Sequence, residues 1–365
     1  MPITNVHRIS AASPEDVSGI EAAIAAGRLD PKGIVAIFGK TEGNGLVNDF
    51  SRGFANQSLL LMLRKSLSDE AARQVCLVMS GGTEGAMAPH WVVFERRAGG
   101  GADAPALAVG RAHTPVLAFG DLGRLAQVDM VAEGVRAAMV DAGVVDLDAV
   151  HFVQVKCPLL TLQRVAEADR RGRSAVTRDT LKSMGLSRAA SALGVAVALG
   201  EIARAQLAEP QIGADWKLWS GRASCSAGIE LLNHEIVVLG MSPNWSGPLA
   251  IDHAVMEDAI DVEPVRAALR RLGFSPDGQL GPDERRRVRA VLSKAEASHD
   301  GALRGFRHTM LDDSDMSSTR HARAFMCGAL AGIIGHAEIF VSGGAEHQGP
   351  DGGGPVAMIV ERDGK

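Results

Sequence analysis

Three copies of one short pattern, Ser-[Gly/Ala]-Gly-x-Glu, constrain this chain more than any other feature. Ser80-Gly-Gly-Thr-Glu84, Ser226-Ala-Gly-Ile-Glu230 and Ser342-Gly-Gly-Ala-Glu346 begin 146 and 116 residues apart. A pattern that recurs at such intervals signals a fold built from similar units. Two of its positions are small, so the backbone can come close to a ligand and present N–H groups to it. One copy alone would read as an ordinary Gly-rich turn. What separates three copies from three turns is that other residues recur in step with them.

Each third of the chain carries four items in the same order. An apolar, β-like run ends in a lysine (Lys40, Lys156, Lys294), and an arginine then opens an Ala/Leu-rich helix (Arg52, Arg188, Arg323). A serine begins the repeated pattern (Ser80, Ser226, Ser342), and a hydrophobic strand closes the unit. The chain has only eight lysines against thirty arginines, so three lysines at equivalent places carry weight. Singly, such residues read as solvated or salt-bridged; three aligned sets predict convergence on one centre. The expected fold class is α/β, with three similar α/β repeat units around a pseudo-threefold axis and a single central active site. The units are placed at residues 1–104, 111–249 and 255–365, separated by a Gly/Ala-rich linker at 98–105 and by Ser242–Pro248.

A coarse pass assigns the elements. Strands are expected at 33–38, 75–79, 91–94, 106–110, 150–155, 235–239, 337–341 and 356–360, and near Trp216–Trp219. Helices are expected at 55–67, 125–142, 187–205, around 254–259, at 265–272 and at 320–335. A mobile loop is expected at 166–182 and a polar turn at 276–284. The window 285–297 could form a helix, and only the repeat favours a strand there. Gly39-Lys40-Thr41 after a strand is not a phosphate loop: its preceding glycine stands six positions back rather than five, and the residues between are apolar β-formers.

The recurring residue types define a chemistry. A serine needs a base, and a lysine serves once burial or nearby positive charge leaves it neutral. Clustered arginines supply that charge and present planar donors to carbonyl or anionic oxygens. Backbone N–H groups of the small residues can form an oxyanion hole. Competing layouts are absent: no Gly-x-Ser-x-Gly surrounds these serines, and neither Ser-x-x-Lys nor His-Glu-x-x-His occurs. A net charge of −5 argues against a nucleic-acid partner. No run reaches the ~18 apolar residues of a membrane span, so no membrane partner is expected. Four widely spaced cysteines and an N-terminus without signal-peptide character point to a cytoplasmic protein.

The sequence resembles the cyanuric acid hydrolase/barbiturase family of ring-opening amidohydrolases over essentially its whole length. The resemblance lies in Gly39–Asn44, Asp49–Gly53, Met79–Gly85, Ser224–Glu230 and Val341–Pro350. It implies hydrolytic opening of cyanuric acid to carboxybiuret, which decarboxylates to biuret, through a Ser-Lys dyad. It makes Lys156 and Ser226 the catalytic pair, with Lys40 and Lys294 in secondary dyads. It gives the ring oxygens to Arg52, Arg188 and Arg323 together with Ser80, Gly81, Ser226, Ala227, Ser342 and Gly343. Arg320, in the Ser317–His321 segment, is the candidate for specificity, and the 316–323 stretch favours cyanuric over barbituric acid. The resemblance further implies a structural divalent cation (Mg or Ca) held by Glu296 and by Ala345, Gln348, Gly349, Pro350 and Gly353, no organic cofactor, and a homotetramer. The alternatives are a barbiturase that forms ureidomalonate and a non-catalytic binder of planar cyclic imides.

Overall fold

All eight residues of the strand Ile34–Thr41 are buried, its lysine included. A strand covered on both faces needs a continuous apolar run of this kind. The computed structural model, which describes residues 1–101 and 104–363, places it inside a four-stranded sheet.

The first unit runs β1 (Pro2–Ser10), α1 (Ser18–Ala25), β2 (Ile34–Thr41), α2 (Phe50–Leu63), β3 (Cys76–Gly81) and β4 (His90–Ala98). The second runs β5 (Ala106–His113), α3 (Leu125–Ala142), β6 (Val150–Pro158), α4 (Leu162–Arg170), α5 (Thr180–Ala198), β7 (Ala223–Gly228) and β8 (Glu235–Ser242). The third runs β9 (Leu249–Met256), α6 (Glu263–Arg271), β10 (Val288–Ala295), α7 (Ser318–Ile334), β11 (Phe340–Gly343) and β12 (Gly354–Glu361). Each unit orders its sheet identically: first strand, last strand, lysine strand, serine strand. Only the lysine and serine strands pair in parallel. Parallel neighbours need a crossover connection, which α2, α5 and α7 supply. A register irregularity falls at the same place in all three lysine strands, between Ile34 and Ala36, Val150 and Phe152, and Val288 and Ala290.

Local chemistry sets the helix ends. The side chains of Asp49 and Asp179 accept backbone N–H groups at the starts of α2 and α5. Gly143 and Gly335 end α3 and α7 in the left-handed conformation. One face of every sheet packs against the other two units around Phe38, Phe94, Phe152 and Phe340. The Phe38 ring lies 4.8 Å from Phe94 and 5.6 Å from Phe340. The opposite faces carry each unit's own helices, as with Leu59 and Leu63 over Ile37 and Leu77.

Several sequence expectations give way to this frame. The 254–259 region is not helical, because β9 pairs along its length with β12 and packing overrides the helix preference of Ala, Met and Glu. Residues 216–219 form no strand; instead the Trp216 ring stacks on His299 at 3.8 Å. The expected loop at 166–182 is the end of α4, a turn, and the start of α5, whose Asp179 cap sits before a helix-forming run. Arg188 therefore lies in the middle of α5 rather than at its opening. The sheets span residues 2–98, 106–242 and 249–361, so the unit starts expected at 111 and 255 fall inside β5 and β9. Residue 365, the expected end of the third unit, lies outside the described residues.

Candidate active site

Register creates the lysine–serine pairs. Across the parallel strands Lys40 stands opposite Ser80, Lys156 opposite Ser226 and Lys294 opposite Ser342. The serine strands are the edges of their sheets, and the three edges contact one another at the axis. None of the three lysines is more than 1% exposed. A buried ammonium needs acceptors, and each lysine finds one in another unit. Lys40 Nζ donates to the Val341 carbonyl at 2.8 Å, Lys156 Nζ to Met79 at 2.6 Å, and Lys294 Nζ to Cys225 at 2.8 Å. Each acceptor is the carbonyl immediately before a repeated serine.

The middle pair breaks the symmetry. Lys40 Nζ also donates to Ser80 Oγ at 3.2 Å, and Lys294 Nζ to Ser342 Oγ at 3.1 Å. Lys156 Nζ instead lies 2.8 Å from Glu230 Oε1. Ser226 Oγ shares a 2.8 Å hydrogen bond with Ser342 Oγ. Lys156 and Ser226 are thus in register, without a hydrogen bond between their side chains.

The sequence alone assigns the repeated glutamate no partner, and the structure supplies one. Arg188 grips Glu346 with Nε at 2.8 Å and Nη2 at 2.6 Å, and Arg323 grips Glu84 at 2.8 and 2.5 Å. Arg52 stands 3.9 Å from Glu230. Every arginine meets the glutamate of the next unit, closing a ring of three inter-unit ion pairs. Two are bidentate, which fixes the guanidinium planes. The fifth position of the pattern was the signal for this ring; its recurrence with the serine was visible, its partner was not.

These charges set the lysines' protonation. Burial and the adjacent Arg323 hold Lys40 well below the usual lysine range. Burial and Arg188 bring Lys294 down to about 7. Burial lowers Lys156 too, with Glu230 acting against that shift and Arg52 adding to it. The arginine that acts on Lys156 is therefore Arg52, not the Arg188 of its own unit. Burial alone would raise Glu230, but Lys156 and Arg52 hold it below the ordinary carboxylate value.

Above the lysines is a small cavity of about 250 Å³, its mouth included. Its lining contains all nine predicted ring-binding residues: Arg52, Ser80, Gly81, Arg188, Ser226, Ala227, Arg323, Ser342 and Gly343. Met79, Met184 and Gly45 also line it and were not foreseen. Larger hollows elsewhere, such as that beside Val116 and Phe119, contain none of the repeated residues. Arg320 does not line the cavity; its Nε lies 3.1 Å from Glu84, the glutamate that Arg323 holds.

The predicted cation ligands lie on two segments joined by a backbone hydrogen bond. The loop carrying Ala345, Gln348, Gly349, Pro350 and Gly353 folds against the end of β10, where Gly344 N–H donates to the Ala295 carbonyl at 3.2 Å. Among the described residues no cationic side chain pairs with the Glu296 carboxylate, and burial and nearby Glu346 raise its pKa. A buried carboxylate with no ion-pair partner among the described residues suits a hard cation. The Gln348 side-chain oxygen accepts from Cys225 N–H at 2.5 Å, which occupies one of its two lone pairs.

The second glycine of the pattern makes room for the guanidinium groups. A Cβ on Gly344 would sit 2.4 Å from Arg188 Cζ, and one on Gly82 would sit 2.3 Å from Arg323 Nη2; both residues have positive φ, +76° and +102°. Gly344→Ala is therefore expected to displace Arg188 and cut kcat/KM by ~10²-fold, the usual effect of a misplacement near 1 Å. Gly328→Ala, in an open position on α7, serves as the control. Equal kcat/KM in the two variants would contradict the role given to the Arg188 plane.

A family model described as "amidohydrolase ring-opening protein" matches residues 5–361. The chain is 65% identical to the cyanuric acid amidohydrolase of Azorhizobium caulinodans, covering 99% of both chains. It is 61% identical to that of a Bradyrhizobium species, covering 99% of this chain and 100% of the relative. A solved structure of the A. caulinodans cyanuric acid hydrolase superimposes with a TM-score of 0.94 at 65% identity, covering 100% of both chains. Another cyanuric acid hydrolase structure, described as an evolutionary innovation by structural concatenation, also gives 0.94, at 47% identity over 99% of this chain. With three matching sheets around one cavity lined by three serines and three arginines, and a family model spanning nearly its whole length, this chain belongs to the ring-opening amidohydrolases.

Proposed function

We propose that this protein is a cyanuric acid amidohydrolase that opens the ring to carboxybiuret, which then loses carbon dioxide to give biuret. The observation that carries this is the match between site and substrate symmetry. Three serine–arginine sets from three units surround one small cavity, and cyanuric acid offers three equivalent carbonyls. Barbituric acid replaces one ring nitrogen by a methylene and matches that threefold site less well. A panel of cyanuric acid, barbituric acid and simple imides, followed by loss of ring absorbance, tests the assignment. Faster opening of barbituric acid would overturn it.

In the proposed reaction Ser226 Oγ attacks a ring carbonyl carbon while its proton passes to Lys156 Nζ. Backbone N–H groups stabilise the oxyanion, and the ring C–N bond breaks as its nitrogen takes up a proton. Water then cleaves the acyl-enzyme. Support comes from the distinct environment of the middle pair: of the three repeated lysines, only Lys156 has a carboxylate, Glu230, within 3 Å to steady it after protonation. Arg52, Arg188 and Arg323 hold the ring. A second reading of the base rests on the chain Lys294 Nζ–Ser342 Oγ–Ser226 Oγ, with steps of 3.1 and 2.8 Å. Loss of more activity in Lys294→Ala than in Lys156→Ala would favour that reading.

Glu296 and the carbonyls of Ala345, Gln348, Gly349, Pro350 and Gly353 are proposed to hold a structural Mg²⁺ or Ca²⁺, which would neutralise Glu296 beside Glu346. Glu296→Gln and chelation are expected to lower Tm by several degrees, since about 1 kcal/mol corresponds to ~2–4 °C in domains of 150–250 residues. Chelation of Glu296→Gln should add nothing further. An unchanged wild-type Tm in chelator would remove the cation. A cytoplasmic homotetramer is also proposed. Four free buried cysteines fit a reducing compartment, and Phe50 and Phe54, one helical turn apart on α2, are 85% and 51% exposed as an interface would require. Light scattering of the purified protein tests the tetramer. No helix of the described residues is long and apolar enough to cross a membrane.

A further inference from the structure

The three seams between units are equivalent in backbone but not in chemistry. Arg8, Arg111 and His253 occupy the same register position, each in the first strand of its sheet and aligned with the residue two before the unit's lysine. Arg8 Nη1 donates to the Val288 carbonyl at 3.0 Å, and Arg111 Nη1 to the Val35 carbonyl at 3.2 Å, each at the bulge of a neighbouring lysine strand. At the third seam this link is missing. The corresponding Val150 carbonyl accepts from Arg222 at 3.2 Å instead, and His253 faces His151, the bulge residue of β6.

His253 Nδ1 lies 2.9 Å from His151 Nδ1, and Asp252 Oδ1 lies 3.5 Å from His151 Nδ1. These are close to the ~3.3 Å ligand–ligand edges of a tetrahedron whose metal–ligand bonds are ~2.0–2.1 Å. Asp252 is also oriented as ligating carboxylates are: Arg271 Nε holds its other oxygen at 2.6 Å and His253 N–H donates to Oδ1 at 2.7 Å. The side chains of His151 and Asp252 keep 17% and 13% of their exposure, which leaves a direction open for water as a fourth ligand. The neighbouring cations Arg222 and Arg271 oppose a metal electrostatically. Arg271 is paired with Asp252 and Arg222 with Glu201 at 2.9 Å, which limits that opposition.

We propose that His151, Asp252 and His253 bind a transition-metal ion of the Zn²⁺ class that ties the second unit to the third. Two imidazoles select such an ion over Mg²⁺ or Ca²⁺, so this site and the oxygen-lined one at Glu296 take different metals. The test uses the full chain in saturating Mg²⁺, which keeps the oxygen site filled. Co²⁺ is titrated and the visible absorption of tetrahedral Co²⁺ recorded, with Zn²⁺ added to displace it. The expected result is one Co²⁺ per chain, lost or weakened at least ~100-fold in His253→Arg and in His151→Ala, the scale on which even supporting residues tune metal affinity. His253→Arg restores the residue type of the other two seams, so it should fold and retain turnover. His151→Ala, on a partly exposed side chain, decides the matter if His253→Arg does not fold. No tetrahedral Co²⁺ spectrum in the wild type, or an unchanged spectrum in either folded variant, would overturn the proposal.

Discussion

Ser226→Ala will lower turnover of cyanuric acid by at least ~10⁴-fold, whereas Ser80→Ala and Ser342→Ala will lower it by ~10²–10³-fold. Loss of a nucleophile removes the covalent route altogether, and such deletions cost 10⁴–10⁶ in serine hydrolases. Loss of one hydrogen-bonding group at a developing oxyanion costs ~10²–10³. All three serines line the same cavity, and each stands opposite a buried lysine. Position therefore cannot separate their roles, and only the difference in magnitude can. Ser342 adds a second effect, because it hydrogen-bonds Ser226 and its removal frees that hydroxyl. Steady-state rates for the three variants decide the point, and comparable losses at all three serines would contradict a single nucleophile.

Arg52→Met is expected to shift the pH dependence as well as the rate. The guanidinium lies close enough to Lys156 to help burial depress its pKa, while Glu230 acts the other way. Without Arg52 that opposition grows, because Glu230 keeps Lys156 and loses its other cation. As the proposed base, Lys156 would accept the serine proton only when neutral, so activity is expected to climb as pH rises through its pKa. Raising that pKa moves the acidic limb of kcat/KM to higher pH, depresses the rate at neutral pH and lets it recover under alkaline conditions. Removal of a charged hydrogen-bond donor to the ring adds ~1.5–3 kcal/mol, roughly 10–150-fold, at every pH. An Arg52→Met profile lowered uniformly, with its acidic limb unmoved, would separate Arg52 from the base. The parallel change Arg188→Met should act on Lys294 instead.

The sequence revealed what repeats and hid what crosses between units. Lys40, Lys156 and Lys294 were legible because a strand-end lysine after an apolar run is rare and occurs here three times. The strand Val288–Ala295 was assigned only through that repetition, since its own window is equally helical. β1 escaped because Pro2–Ser10 mixes polar and apolar residues and has no lysine to mark it; of its counterparts only β5 was legible, since the end of β9 reads as helix. Inter-unit partners left no local trace. Nothing near Arg52 indicates that Glu230 is its partner, and nothing near Lys156 indicates that Met79 supplies its acceptor. The cavity lining was readable because its serines and arginines recur in step and the family resemblance assigns them to one ring. The ion-pair ring and the divergent His151–His253 seam were not, because they exist only once the three sheets have closed around one axis.

The most direct measurement is the identity of the acylated residue. Enzyme quenched in acid during turnover of cyanuric acid, digested and mapped by mass spectrometry, should carry one adduct on the peptide containing Ser226. Its mass should exceed that of the free peptide by one whole cyanuric acid, because opening a ring expels no fragment. Lys156→Ala should show that adduct at much lower occupancy, since the proton then lacks its acceptor. An adduct on Ser80 or Ser342 would contradict the assignment of Ser226 as nucleophile.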